Sequence, residues 1–145
     1  MREELRRIDR LTQVRIRKLH EAQLALVEAD REAAALLQIV REAEAGLRAA
    51  VDEASQSEFA LAGEFTFRRE QIDAAQRRLL ACEKRHQQAM AVRKERHEAV
   101  LEAHKGLKQM ESWAESVKRT FRQEEDRRER ILSDEIAARR FGLAR

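Results

Sequence analysis

The chain reads as an all-α protein, two long helices folded into an antiparallel coiled-coil hairpin. Three observations predict it. None of the 145 residues is proline and four are glycine, whereas ordinary proline usage would place about seven. Apolar residues recur at alternating three- and four-residue spacing through both halves of the chain, the pattern along which helices supercoil. The two halves also carry opposite charge, so that folding back sets an acidic arm beside a basic one. Sandwiches, barrels and doubly wound sheets need glycine or proline turns at short intervals, and this chain has almost none. With one Trp, five Phe and no Tyr, a globular core around an enzyme-like pocket is not expected.

Arm one is expected over about residues 3–60. Counting from Leu5 in steps of three and four gives Leu5, Ile8, Thr12, Arg15, Leu19, Ala22, Leu26, Ala29, Ala33, Leu36, Val40, Ala43, Leu47, Ala50 and Ala54, of which thirteen of fifteen are apolar. Alanine at so many seam positions lets a partner helix approach closely.

The turn is expected at about 60–67. The seam lapses in Ser55-Gln56-Ser57-Glu58-Phe59, Gly63 can take a left-handed helix stop, and Thr66 can cap the next helix. Isolated Gly46 and Gly106 inside the periodic arms leave a single unbroken helix as the competing reading.

Arm two is expected over about 67–140. Its seam runs Ile72, Ala75, Leu79, Cys82, His86, Ala89, Arg93, Arg96, Val100, Ala103, Leu107, Met110, Ala114, Val117, Phe121, then Glu124, Arg128, Ile131, Glu135 and Ala138, fourteen of twenty apolar. The polar run at His86, Arg93 and Arg96 reads as a stutter, with Met90 and Leu101 carrying the stripe across it.

Charge selects the hairpin. Residues 21–67 hold three Arg against ten acidic residues, a net of −7, and residues 68–117 hold eleven Lys/Arg against eight acidic residues, a net of +3. A parallel dimer would set the acidic rows against each other, and like-charge rows govern partner choice. Two arms of about 60 residues would make a rod on the order of 90 Å. The outer ends, residues 1–20 and 118–145, carry +4 and +3, so the hairpin is expected to be a monomer with a basic pole at its ends and an aromatic one at its turn.

Chemistry-bearing residues are sparse. His86, His97 and His104 are 11 and 7 apart, too far for two rings to share an ion at i,i+3 or i,i+4 spacing. Cys82 lies on the seam without an adjacent base and reads as a small buried apolar residue. No catalytic residue, metal or cofactor is expected. Arg6-Arg7, Arg127-Arg128 and Arg139-Arg140 are basic pairs, but Glu124, Glu125, Asp126 and Glu129 interleave with the central pair. This is helix-surface pairing rather than a one-signed nucleic-acid face. Phe59, Phe65 and Phe67 put three of the five phenylalanines in nine residues; they either plug the end of the coiled coil or form a docking surface. Trp113, near Val117 and Phe121, is expected to pack.

Two stretches resemble the central stalk family of type III secretion systems, which comprises the injectisome stalk and its flagellar export counterpart. The first is the opening Arg7-Ile8-Asp9-Arg10-Leu11-Thr12-Gln13-Val14-Arg15, followed by the small-residue heptads at Ala22, Leu26 and Ala29. The second is Met110-Glu111-Ser112-Trp113-Ala114-Glu115-Ser116-Val117-Lys118-Arg119 with Glu124-Glu125, similar to the family's closing helix. The resemblance covers most of the chain. It implies a non-enzymatic stalk of the rotary-ATPase γ type, with its terminal helices in the pore of a hexameric secretion ATPase and its turn toward the export gate's cytoplasmic domain. It also implies a cytoplasmic place beside the secretion apparatus at the inner membrane, and escort chaperones as further partners. On this resemblance Arg6, Arg7, Arg10, Arg128, Arg139 and Arg140 would face the ATPase, and Phe59, Phe65 and Phe67 the gate. The alternative is a coiled-coil scaffold or tether that self-associates through the seam without any ATPase; a nucleic-acid-associated helical protein stands behind it. The charged N-terminus carries no leader-like segment, and no apolar run is long enough to span a membrane.

Overall fold

A computed structural model describes residues 2–56 and 62–143. Two helices account for them, α1 (Arg2–Gln56) and α2 (Ala62–Leu143), packed side by side in opposite directions with no strand among the described residues. Acidic residues stand in the first turn of each helix, Glu3 and Glu4 in α1 and Glu64 in α2, and Arg140 in the last turn of α2. Both placements complement the helix dipole.

The heptad seam decides what is buried. In α1 every position of the 3–4 register from Leu5 to Ala54 is buried or half-buried except Arg15. In α2 the same holds from Ile72 to Phe121 except Arg93 and Arg96. Two helices alone shield each other along one stripe only, so most seam residues stay half-buried. The buried apolar ones are mainly small: Ala29, Ala33, Ala43, Cys82 and Ala89, with Ile8, Val40 and Met110. Close approach of backbones explains why alanine serves this seam so well, since a short side chain at the contact lowers the interaxial distance.

The pair forms two compact units, each drawing on both helices. In the unit Glu21–Leu101, Val40 and Ala43 pack with Cys82 and Leu79. Cross-helix ion pairs join Glu53 to Arg68 at 2.8 Å and Asp30 to Arg93. Both bring an acid of α1 to an arginine of α2, the complementarity read from the arm charges. In the unit Met1–His20 with Glu102–Arg145, the Arg15 side chain lies over Gly106, and Ile8 is enclosed completely.

Two expectations are corrected. The first helix ends at Gln56 and the second starts at Ala62, so residues 62–67 belong to α2 instead of to a turn at 60–67. Gly63 takes no left-handed conformation, and Thr66 Oγ1 donates to the Ala62 carbonyl at 3.2 Å within the helix instead of capping it. Second, there is no stutter at 86–96: Met90 and Leu101 are exposed, while His86 and Ala89 before the polar run and Val100 and Ala103 after it keep the original register. Arg93 and Arg96 occupy seam positions but turn their long side chains outward, and Arg93 reaches Asp30.

Candidate functional site

The antiparallel register decides where the arginines fall. Arg15 of α1 faces Gly106 of α2, so the first turns of α1, with Arg6, Arg7 and Arg10, lie alongside α2 near residues 110–118. Phe121 is the last half-buried residue of α2; every residue from 122 to 142 is exposed. This stretch continues as helix with no described α1 residue opposite it. Arg139 lies about 27 Å further along the helix than Phe121 at a rise of 1.5 Å per residue. The six arginines singled out in sequence therefore form two groups. Arg6, Arg7 and Arg10 stand where the two helices are paired, and Arg128, Arg139 and Arg140 stand on the unpaired stretch. The two groups do not share one place, and the stretch beyond Phe121 carries no net charge over residues 122–142.

That stretch carries more than arginine. Leu132 and Ile136 are 57% and 56% exposed, and Phe141 reaches 77%. Ser133, Ile136, Ala137, Arg140 and Phe141 line an open groove along one side of the helix. Glu124, Glu125, Asp126, Glu129, Asp134 and Glu135 balance Arg122, Arg127, Arg128, Arg130, Arg139 and Arg140 in number. Apolar residues exposed on a helix with no partner mark a contact surface. Sequence reasoning missed this face because it followed the α1-facing register through 124, 128 and 131, whereas Leu132 and Ile136 lie beside that register. The signal was present in their own 3–4 spacing.

At the start of α2, Phe65 and Phe67 are 53% and 56% exposed. Neither ring is enclosed among the described residues. Phe59, the third of the cluster, lies outside the described residues. Trp113 is also exposed, one position off the seam that Val117 and Phe121 follow.

Cys82 is buried on the seam among Val40, Ala43 and Leu79, as its position predicted. Among the described residues no three His, Cys, Asp or Glu side chains converge as metal ligands. A groove of about 350 Å³ runs beside Asp30, Ala33, His86, Met90 and Arg93, where the polar run crosses the seam, and its ionic groups already pair with each other. Among the described residues no helix is long and apolar enough to cross a membrane. Comparison with known proteins finds no matching family model, no matching curated protein and no matching solved structure.

Proposed function

We propose that the chain is the non-enzymatic stalk of a type III secretion system: it binds the hexameric export ATPase, promotes ring assembly and activity, and links the ring to the export gate's cytoplasmic domain. The reading rests on the resemblance carried by the opening and closing segments. The structural observation that supports it most is the unpaired, wholly exposed stretch 122–142 of α2 with its arginines. A single helix of about 10–12 Å diameter fits a ring's central channel more easily than a paired one. Arg128, Arg139 and Arg140 then meet acidic groups of the ATPase, while Arg6, Arg7 and Arg10, where the helices are paired, meet the ring's entrance. The exposed Phe65 and Phe67 at the opposite end of α2 face the gate. Escort chaperones are further partners, and the place of action is the cytoplasmic side of the inner membrane.

Charge reversal tests the assignment. Arg6, Arg7 and Arg10 changed together to Glu, and separately Arg139 and Arg140 changed to Glu, are each expected to preserve helicity by circular dichroism and to weaken ATPase capture in a pull-down at least tenfold. Unchanged capture by either variant removes that group from the interface, and unchanged capture by both removes the ring. A second reading, a self-associating scaffold without ATPase coupling, draws on the exposed Leu132, Ile136 and Phe141.

A further inference from the structure

One face of the unpaired stretch of α2 is ordered by charge along its length. Residues at i, i+3, i+4 and i+7 share a helix face, which places Glu125, Asp126, Glu129, Leu132, Ser133, Ile136, Arg139 and Arg140 together. Along it acids come first, apolar and small residues occupy the middle, and arginines come last, with Arg128 and Glu135 on the flank opposite Asp126, Ser133 and Arg140, and Arg122 one turn before Glu125. All eight are exposed.

Such a face complements itself when a copy is turned end for end. We propose that residues 124–141 of two copies of this chain pair antiparallel about a two-fold axis near residue 134. Leu132 then packs against Ile136 of the second copy, Glu129 meets Arg139 of the second copy, and Asp126 meets Arg140 of the second copy. The two-fold repeats each contact, so two apolar layers are flanked on both sides by opposite charges, the isologous arrangement of most homodimers. A parallel pair would set acid on acid and arginine on arginine. Glu–Arg rows of this kind specify orientation and partner in coiled coils. The contact is short compared with a standard interface, so the dimer forms reversibly with Kd on the order of micromolar. It stands independently of the ATPase reading, and it has a consequence for it: Arg139 and Arg140 serve both contacts, so a chain paired in this way is not available to a ring.

The test is the mass of the full chain in solution, by sedimentation equilibrium over a concentration series from about 1 to 300 μM. The chain is expected to pass from 16.9 kDa to twice that mass, with the midpoint rising at least threefold when salt is raised from 0.05 to 0.5 M. Two variants then locate the contact: E125R/E129R carries arginine at both ends of the face, and R139E/R140E carries acid at both ends. Each alone is expected to stay monomeric over the series, and an equimolar mixture is expected to dimerise, because each end of one variant meets the opposite charge on the other. Residues 129 and 139 are too far apart on one helix to touch, so the rescue reports contact between chains. A wild-type monomer throughout overturns the proposal, as does self-association that persists in each variant alone. A mixture no heavier than its components overturns it as well.

Discussion

Arg15 and Gly106 show how one polar residue is carried in an otherwise apolar seam. The position of Arg15 in the heptad register calls for a short or apolar side chain. It holds a guanidinium whose Nη1 lies 3.0 Å from where a Cβ on Gly106 would sit. Glycine on α2 opens the space, and the guanidinium of the arginine lies across it. Gly46 gives the contrast, since nothing lies within 4 Å of a Cβ built there. Glycine in a helix interior costs about 0.5–1 kcal/mol relative to alanine. Gly46→Ala is therefore expected to stabilise the chain by that amount, a rise of about 2–4 °C in Tm. Gly106→Ala is expected to gain less, because the Arg15 tip must shift by a few tenths of an ångström. Thermal melts followed at 222 nm check both, and an equal gain at the two positions would mean that Arg15 does not rest on the glycine.

At the scale of the helix, Phe65 and Phe67 carry the clearest expectation. Both are more than half exposed, so replacing them together with alanine removes little buried area. Tm is expected to move by less than about 2 °C while secretion and binding to the gate's cytoplasmic domain fall. A loss of several degrees would instead place the rings inside the packed end of the pair. The same element shows what the sequence conveyed and what it did not. Burial follows the 3–4 count along α1 and along α2 as far as Phe121, because position in the repeat determines which side chains meet wherever the two helices are paired. The helix boundary does not follow from the repeat. Gly63 has the residue type of a helix stop, yet glycine is as comfortable at ordinary helical angles as in the left-handed region, and α2 includes it. Arg93 and Arg96 looked like a register break because their polarity interrupts the stripe. Long side chains leave a seam by bending outward, so polarity there does not displace the register. The split of the arginines was also out of sequence's reach, since it depends on which residue of α1 faces which of α2, and Arg15 over Gly106 settles that only in three dimensions.

At the largest scale, the two described helices differ in length, 55 and 82 residues, and no described residue of α1 lies opposite the exposed stretch 122–142 of α2. On the two proposals above, that stretch would hold arginines for an ATPase and a self-complementary face for a second copy, and the two contacts would compete for it. An excess of the chain over rings would favour the pair, and assembled rings would draw chains out of it. Opposite charge on the two arms was legible from composition, and Glu53–Arg68 and Asp30–Arg93 are its contacts within the unit Glu21–Leu101. Exposed pairs contribute only about 0.2–1 kcal/mol each, so their role is to choose the partner rather than to hold it. The central claim is coupling to a secretion ATPase. Steady-state ATP hydrolysis by the purified export ATPase of the same genome, titrated with this protein while hexamer content is followed by light scattering, tests it most directly. The account predicts a saturable rise in rate that parallels ring assembly; a rate and an assembly state unchanged across the titration would contradict it.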